Sequence, residues 1–160
     1  MNNVTVGSVR ARRFSYYETV AGGEGALPYR DGMDGVHSHM TNTRNTPVEA
    51  LELAYPLRVE EYRLVPGSGG SGLHRGGDGV RRSLRILAAS AIVSVISERR
   101  RHAPRGLAGG ADGKPGRNLL VHAGRERALP AKATLEVRRG DLLVVETPGA
   151  GGWGRAPPPR

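Results

Sequence analysis

The chain contains no cysteine, which excludes disulfides, thiolate nucleophiles and cysteine-held metals and fits a reducing cytoplasm. Aromatic residues are scarce: one Trp, five Tyr and one Phe. They do not interleave with the basic residues as a base-stacking surface would require. Long hydrophobic runs are missing too. The longest apolar stretch, from Ile86 to Ile96, is broken by Ser90 and Ser94 and is too short to span a bilayer. No basic segment followed by an apolar run opens the sequence, so no secretory signal is visible. These absences lead to the expectation of a soluble, cytoplasmic protein with neither a membrane nor a nucleic-acid partner.

What is plentiful is Gly (24) and Pro (11) within 160 residues. Both punctuate chains at turns, so short strands joined by loops are favoured over long helices. The length suits one domain with a core of moderate size. The formal charge is +9 and is unevenly spread: residues 1–56 hold five Arg against six acids, whereas residues 57–160 hold nineteen basic residues against nine acids. A basic half attracts anions. Yet all but two of the 24 basic residues are Arg, and with abundant Gly, Ala and Pro this is also the profile of a GC-rich coding sequence.

The patterning predicts a mainly β fold with one short helix, an antiparallel β-barrel or sandwich carrying long Gly-rich loops. Val4, Val6 and Val9 alternate with polar residues, and Phe14 to Val20 is rich in β-formers. A long Gly-rich loop follows, from Ala21 to His39. Thr46-Pro47-Val48-Glu49 carries helix-start chemistry, with Thr46 as cap, Pro47 in the first turn and Glu49 completing a capping box. Val48, Leu51 and Tyr55 give that helix an apolar side, and Pro56 stops it. Beyond it, the imperfect alternation of Leu57 to Val65 indicates a bulged strand. Val80, Leu84 and Ile86 share one face of Gly79 to Leu87, and Ala91 to Ser97 reads as a buried central strand. Asn118 to His122, Ala133 to Val137 and Leu142 to Thr147 bring the count to six or seven strands. The chain therefore divides into a loop-rich segment (1–56), a β-rich segment (57–154) and a disordered tail (155–160), expected to form one structural unit.

Two segments match G-x-G-x-x-G, Gly67 to Gly72 and Gly149 to Gly154. Neither is followed by a helix whose N-terminus could receive a pyrophosphate, so both are read as turns and no nucleotide cofactor is assigned to this chain. Asp34 to Asn45 (DGVHSHMTNTRN) carries more chemistry. Residues two apart on an extended strand share a face, so His37 and His39 could reach one metal ion, with Asp34 adding an oxygen. The alternative is that these histidines hydrogen-bond within the loop. The candidate pocket residues are His37, His39, Asn42, Thr43, Arg44 and Asn45, together with Thr41. Such a run of donors and acceptors either satisfies itself inside the loop or lines a polar pocket. Glu18, beside Tyr16 and Tyr17, would be a general base if buried. The run from Ser97 to His102 (SERRRH) is either a solvated strand end or an anion clamp, and three adjacent Arg cannot all face one site. No nucleophile elbow, H-E-x-x-H or other complete catalytic motif occurs.

Longer phrases add to this. FSYYETVAGGEGA (14–26), DGVHSHMTNTRNTPVEALE (34–52), YPLRVEEYRLVPGSGGSGLHRGGDG (55–79), ERRRHAPRGLAGG (98–110), PGRNLL (115–120) and ETPGAGGWG (146–154) resemble, in one collinear order, the C-terminal portion of the hydantoinase B/5-oxoprolinase family. The resemblance implies a component of an ATP-dependent cyclic-amide hydrolase. It further implies ATP bound by a hydantoinase A-type partner in a hetero-oligomer, and a divalent metal held mostly by an N-terminal B region outside this sequence. Isolated, the chain would be inactive. Two other classes remain open: a non-catalytic β-barrel assembly domain, and a basic anion-binding module whose binding would fall steeply with salt.

Overall fold

The computed structural model describes residues 1–8, 10, 13–38 and 41–156. Its strands are β1 (Asn2–Ser8), β2 (Phe14–Thr19), β3 (Leu57–Leu64), β4 (Val80–Ile86), β5 (Ser90–Ser97), β6 (Arg117–His122), β7 (Arg125–Leu129), β8 (Lys132–Arg138) and β9 (Leu142–Glu146), with one helix, α1 (Val48–Ala54). Two sheets form, in the orders β2-β1-β5-β8 and β3-β4-β9-β6-β7. Every strand pair is antiparallel. Of the two expected architectures, the sandwich is the one realised, because the sheets stay separate and do not close into a barrel.

Alternation dictates which side chains enter the interior. Val4 and Val6 of β1, Tyr16 of β2, Leu84 and Ile86 of β4, Val93 and Val95 of β5, Val137 of β8 and Leu143 and Val145 of β9 form one core cluster. Since β1 pairs with β5, the N-terminal segment shares a sheet with the later half of the chain. Burying a Leu, Ile or Val of this kind is worth roughly 1.5–3 kcal/mol.

Several expectations need correction. β5 is buried on one face only: Ile92 and Ile96 remain 53% and 50% exposed, because no element covers the outer side of its sheet among the described residues. A hairpin strand, β7, was not expected; its residues are almost wholly exposed, so it has no apolar periodicity to read. The helix start also differs. Pro47 occupies the N-cap with ψ 141° and no side-chain cap bond forms, so Thr46 and Glu49 do not build a capping box. Leu51 is the one buried residue of α1, and the Glu52 carboxylate accepts the Val59 N–H at 2.9 Å, next to the β3 bulge between Val59 and Glu61. The expected disorder of the tail falls, from residue 157 on, outside the described residues. Among the described residues no helix is long and apolar enough to cross a membrane.

On the five-stranded sheet an ionic chain joins four strands, β3, β4, β9 and β6. Arg81 bonds both Glu61 and Glu146, and Glu146 also binds Arg117. Burial pushes the Glu146 carboxyl up, but hydrogen bonds from Arg117 and Arg81 outweigh it and hold it below its ordinary 4.5. Glu61 is lowered as well, chiefly by Arg81. A carboxylate with a depressed folded-state pKa contributes stability above its unfolded value that disappears as pH falls through the folded one. Urea midpoints measured from pH 7 down to pH 3 should therefore decline below about pH 4.5, and Glu146→Gln should flatten that decline. An unchanged slope in the variant would remove Glu146 as its source.

Candidate functional site

At the end of the sandwich where β1 begins, four Gly-rich loops stack backbone on backbone. A Cβ at Gly23 would lie 2.0 Å from the Gly77 carbonyl oxygen, and one at Gly151 would lie 2.0 Å from the Arg105 carbonyl oxygen. Only a residue without a side chain permits that approach. The GSGGSG and GAGGWG segments both belong to this layer, so they are turns and loops as expected. Asp78 fastens the first by accepting the Gly67 and Gly69 N–H groups. Trp153 bridges to His74 on one side and Leu107 on the other.

The layer forms one wall of an open cleft of about 500 Å³. Asn2, Thr19 and Val20 supply its base, 21–23, Gly25 and 148–151 one side, and Ser38, Thr41, Arg99 and Arg105 the rim. A volume of this size lies within the range of small-molecule sites. Another hollow of about 310 Å³ lies at the opposite end of β1, around Gly7, Ile92 and Glu136, away from all the candidate loop residues.

The candidate residues separate into three groups. Ser38 and Thr41 line the cleft, and Thr41 donates from its hydroxyl to the Ser38 carbonyl at 3.0 Å, which folds the stretch back on itself. Asn42, Thr43 and Arg44 are exposed; Thr43 makes local bonds to the Thr41 carbonyl.

Asn45 and Glu18 point elsewhere, into the space between the sheets. Glu18 is 3% exposed. It accepts hydrogen bonds from Tyr16 Oη (2.8 Å), Asn45 Nδ2 (2.9 Å) and Arg82 Nε (2.9 Å). The Glu18 carboxylate is thus committed to three donors and ties the two sheets together, away from the cleft. Asn45 also donates to the Thr19 carbonyl and accepts from Tyr62 Oη. Arg82 stacks its guanidinium 4.5 Å from the Tyr62 ring centroid. Burial, reinforced by the Glu18 charge, raises the Tyr16 hydroxyl well above its usual pKa, so it remains a donor. Sequence reasoning missed Arg82, although a signal existed: it shares the β4 face of Val80, Leu84 and Ile86, where a charged residue is out of place.

Asp34 is likewise committed. Its oxygens accept from Arg75 Nη2 at 2.8 Å and the Asp78 N–H at 2.7 Å, and the Arg75 hydrogen bond holds its carboxyl below the ordinary range. His37 has both ring nitrogens buried without a partner, and His39 lies outside the described residues. Among the described residues no three His, Asp or Glu side chains gather as a metal-ligand set. Of the three expected ligands, the described His37 and Asp34 do not gather with a further His, Asp or Glu into a ligand set, and the part of the expectation that rests on His39 falls outside the described residues.

The sequence model of the family described as Hydantoinase B/oxoprolinase matches residues 1–156. The chain belongs to that family. This Hydantoinase B/oxoprolinase chain is 46% identical over 155 residues to 5-oxoprolinase 1 of Arabidopsis thaliana, covering 96% of itself and 12% of that relative. It is 44% identical over 156 residues to the 5-oxoprolinase of Dictyostelium discoideum, again covering 12% of the relative. It thus spans about an eighth of the length of these proteins. Among solved structures it is similar to the ATP-dependent caprolactamase from Pseudomonas jessenii, with TM-score 0.81, 26% identity, and coverage of 96% of this chain and 28% of that one. An acetone carboxylase shares the fold, at TM-score 0.72 and 17% identity.

Proposed function

We propose that this chain is the C-terminal part of the B-type component of an ATP-dependent cyclic-amide hydrolase and is inactive alone. In this reading it contributes one glycine-built wall of a substrate cleft, and the rest of the B-type polypeptide closes that cleft. The names of its relatives, 5-oxoprolinase and ATP-dependent caprolactamase, support the reaction class: opening of a lactam with ATP consumed. ATP is assigned to an A-type partner subunit, since neither glycine motif leads into a helix that could receive phosphates.

One observation carries the proposal. The cleft lining contains no His, Asp, Glu, Lys or Cys among the described residues; its polar side chains are the Asn2 amide, the hydroxyls of Thr19, Ser38 and Thr41, and two Arg. An unstrained amide is a poor electrophile, and its hydrolysis needs a proton acceptor and stabilisation of developing charge. Arg cannot serve as the acceptor at neutral pH. The wall can position and exclude water, while the groups that move protons come from other polypeptide.

Reconstitution tests this. The chain alone, given ATP and 5-oxoproline or caprolactam, should release no ADP above background. The same chain combined with the preceding B-type region and an A-type subunit should release ADP in step with ring opening. Turnover by the isolated chain, or silence after assembly has been verified by size, would overturn the proposal. A purely assembling domain is the alternative class, and it would leave turnover unchanged when Ser38 and Thr41 are both replaced by Ala.

A further inference from the structure

We infer that the cleft receives the anionic group of its ligand, a carboxylate or a phosphate, between Arg99 and Arg105. The inference deepens the reading above by naming the ligand chemistry of the same cleft.

Charge placement is the first support. Arg58, Arg75, Arg81 and Arg117 each rest on a carboxylate. Arg99 and Arg105 line the cleft and form no ion pair among the described residues. No acidic side chain lines it with them. The nearest loop acid by sequence, Glu24, is held by both terminal nitrogens of Arg30, and Glu98 lines an adjoining hollow that Arg99 also borders, but not the cleft itself.

The second support lies one side chain behind the wall. Arg100 turns inward and donates to Asn2 Oδ1 (2.8 Å), Asn118 Oδ1 (2.8 Å) and the Glu98 carbonyl (2.7 Å). All three acceptors are neutral, so the half-buried cation has no counter-charge. Desolvation pushes its pKa down to about 10, which leaves it charged at neutral pH. Asn2, its partner, is itself part of the cleft base. A cation compensated only by dipoles projects its field into the adjacent low-dielectric space, where an anion gains more than it would in water.

Backbone geometry is the third support. Arg99 adopts φ +57°, a left-handed conformation that a non-glycine residue holds only when its surroundings impose it. That turn breaks strand alternation directly after β5. Arg100 can then turn inward while Arg99 stands where the cleft meets the neighbouring hollow, and Arg101 lines that hollow but not the cleft.

The test is an amide and Arg Nε chemical-shift titration of the full chain with inorganic phosphate and, separately, acetate, at constant ionic strength. Saturable shifts should be confined to 21–25, 148–151, Arg99 and Arg105. Whichever probe binds more tightly identifies the source, phosphate for a phosphorylated intermediate and carboxylate for a substrate acid. Arg99→Gln and Arg105→Gln should each weaken the apparent Kd about tenfold, consistent with loss of one charge-assisted bond. Arg99→Gly removes the charge while easing the left-handed turn, and should behave the same. Arg101→Gln should change nothing. Non-saturating shifts, or equal weakening by Arg101→Gln, would overturn the inference. Reconstituted turnover without anion binding would sink this inference alone; anion binding without reconstituted turnover would sink only the proposed reaction.

Discussion

Replacing Glu18 by Ala should cost about 3–5 kcal/mol of folding stability, the penalty of stranding a buried charge. Arg82 is 1% exposed and Glu18 is its only carboxylate partner among the described residues. Its two terminal nitrogens already lack hydrogen-bond partners, so loss of Glu18 leaves the buried guanidinium without a counter-charge. Typical domains have only 5–15 kcal/mol to lose, and Glu18→Ala should therefore lower the urea midpoint severely at pH 7. The same variant deprives Tyr16 and Asn45 of their acceptor. Glu18→Gln combined with Arg82→Met should be the milder lesion despite changing two residues. It removes both charges, and the Gln amide oxygen still accepts from Tyr16 or Asn45. A loss below about 1 kcal/mol in Glu18→Ala, the scale of an exposed pair, would show that the bridge between the sheets is not a buried one.

The glycine layer should be equally sensitive to a single methyl group. A Cβ at Gly77 would lie 1.9 Å from the Met33 carbonyl oxygen and 3.0 Å from the Glu24 amide nitrogen. Both neighbours are backbone, so relief requires moving a loop instead of a rotamer. Gly77→Ala should destabilise by about 3 kcal/mol, the upper part of the usual overpacking range. For a chain of this length that corresponds to a Tm drop of about 6–12 °C. Gly25→Ala is the control. No atom lies within 4 Å of a Cβ there and its φ is unremarkable, so its Tm should stay within about 1 °C of the parent. Comparable losses in the two variants would mean that general glycine entropy, and not close approach, governs the layer.

How far these features could be read beforehand depends on whether their cause is local. Strand periodicity is local: Val4/Val6, Leu84/Ile86 and Leu143/Val145 announce their faces, and the sandwich follows from them. β7 could not be read because Arg125, Glu126 and Arg127 make a strand by pairing with β6, not by burying a face. Pro47 displaced Thr46 as cap because its φ of −51° and extended ψ place the turn one residue later. The site is largely non-local. Where Asn45 turns and which of the three consecutive arginines faces inward depend on distant partners, Glu18 and Tyr62 for the first, Asn2 and Asn118 for the second. Arg105 belongs to no catalytic motif, and its place at the cleft is set by Gly151 lying against its backbone. His37 was singled out for ligation, yet its buried nitrogens find neither a ligand set nor a donor among the described residues, and nothing in the structure explains them.

Trp153 joins two loops that precede it by 79 and 46 residues, meeting His74 and Leu107. During synthesis both loops leave the ribosome long before the segment that clasps them. Until that segment arrives they must wait with unpaired backbone, and closure of the end wall becomes a late event of folding. The sandwich can be formed while the cleft is still unmade.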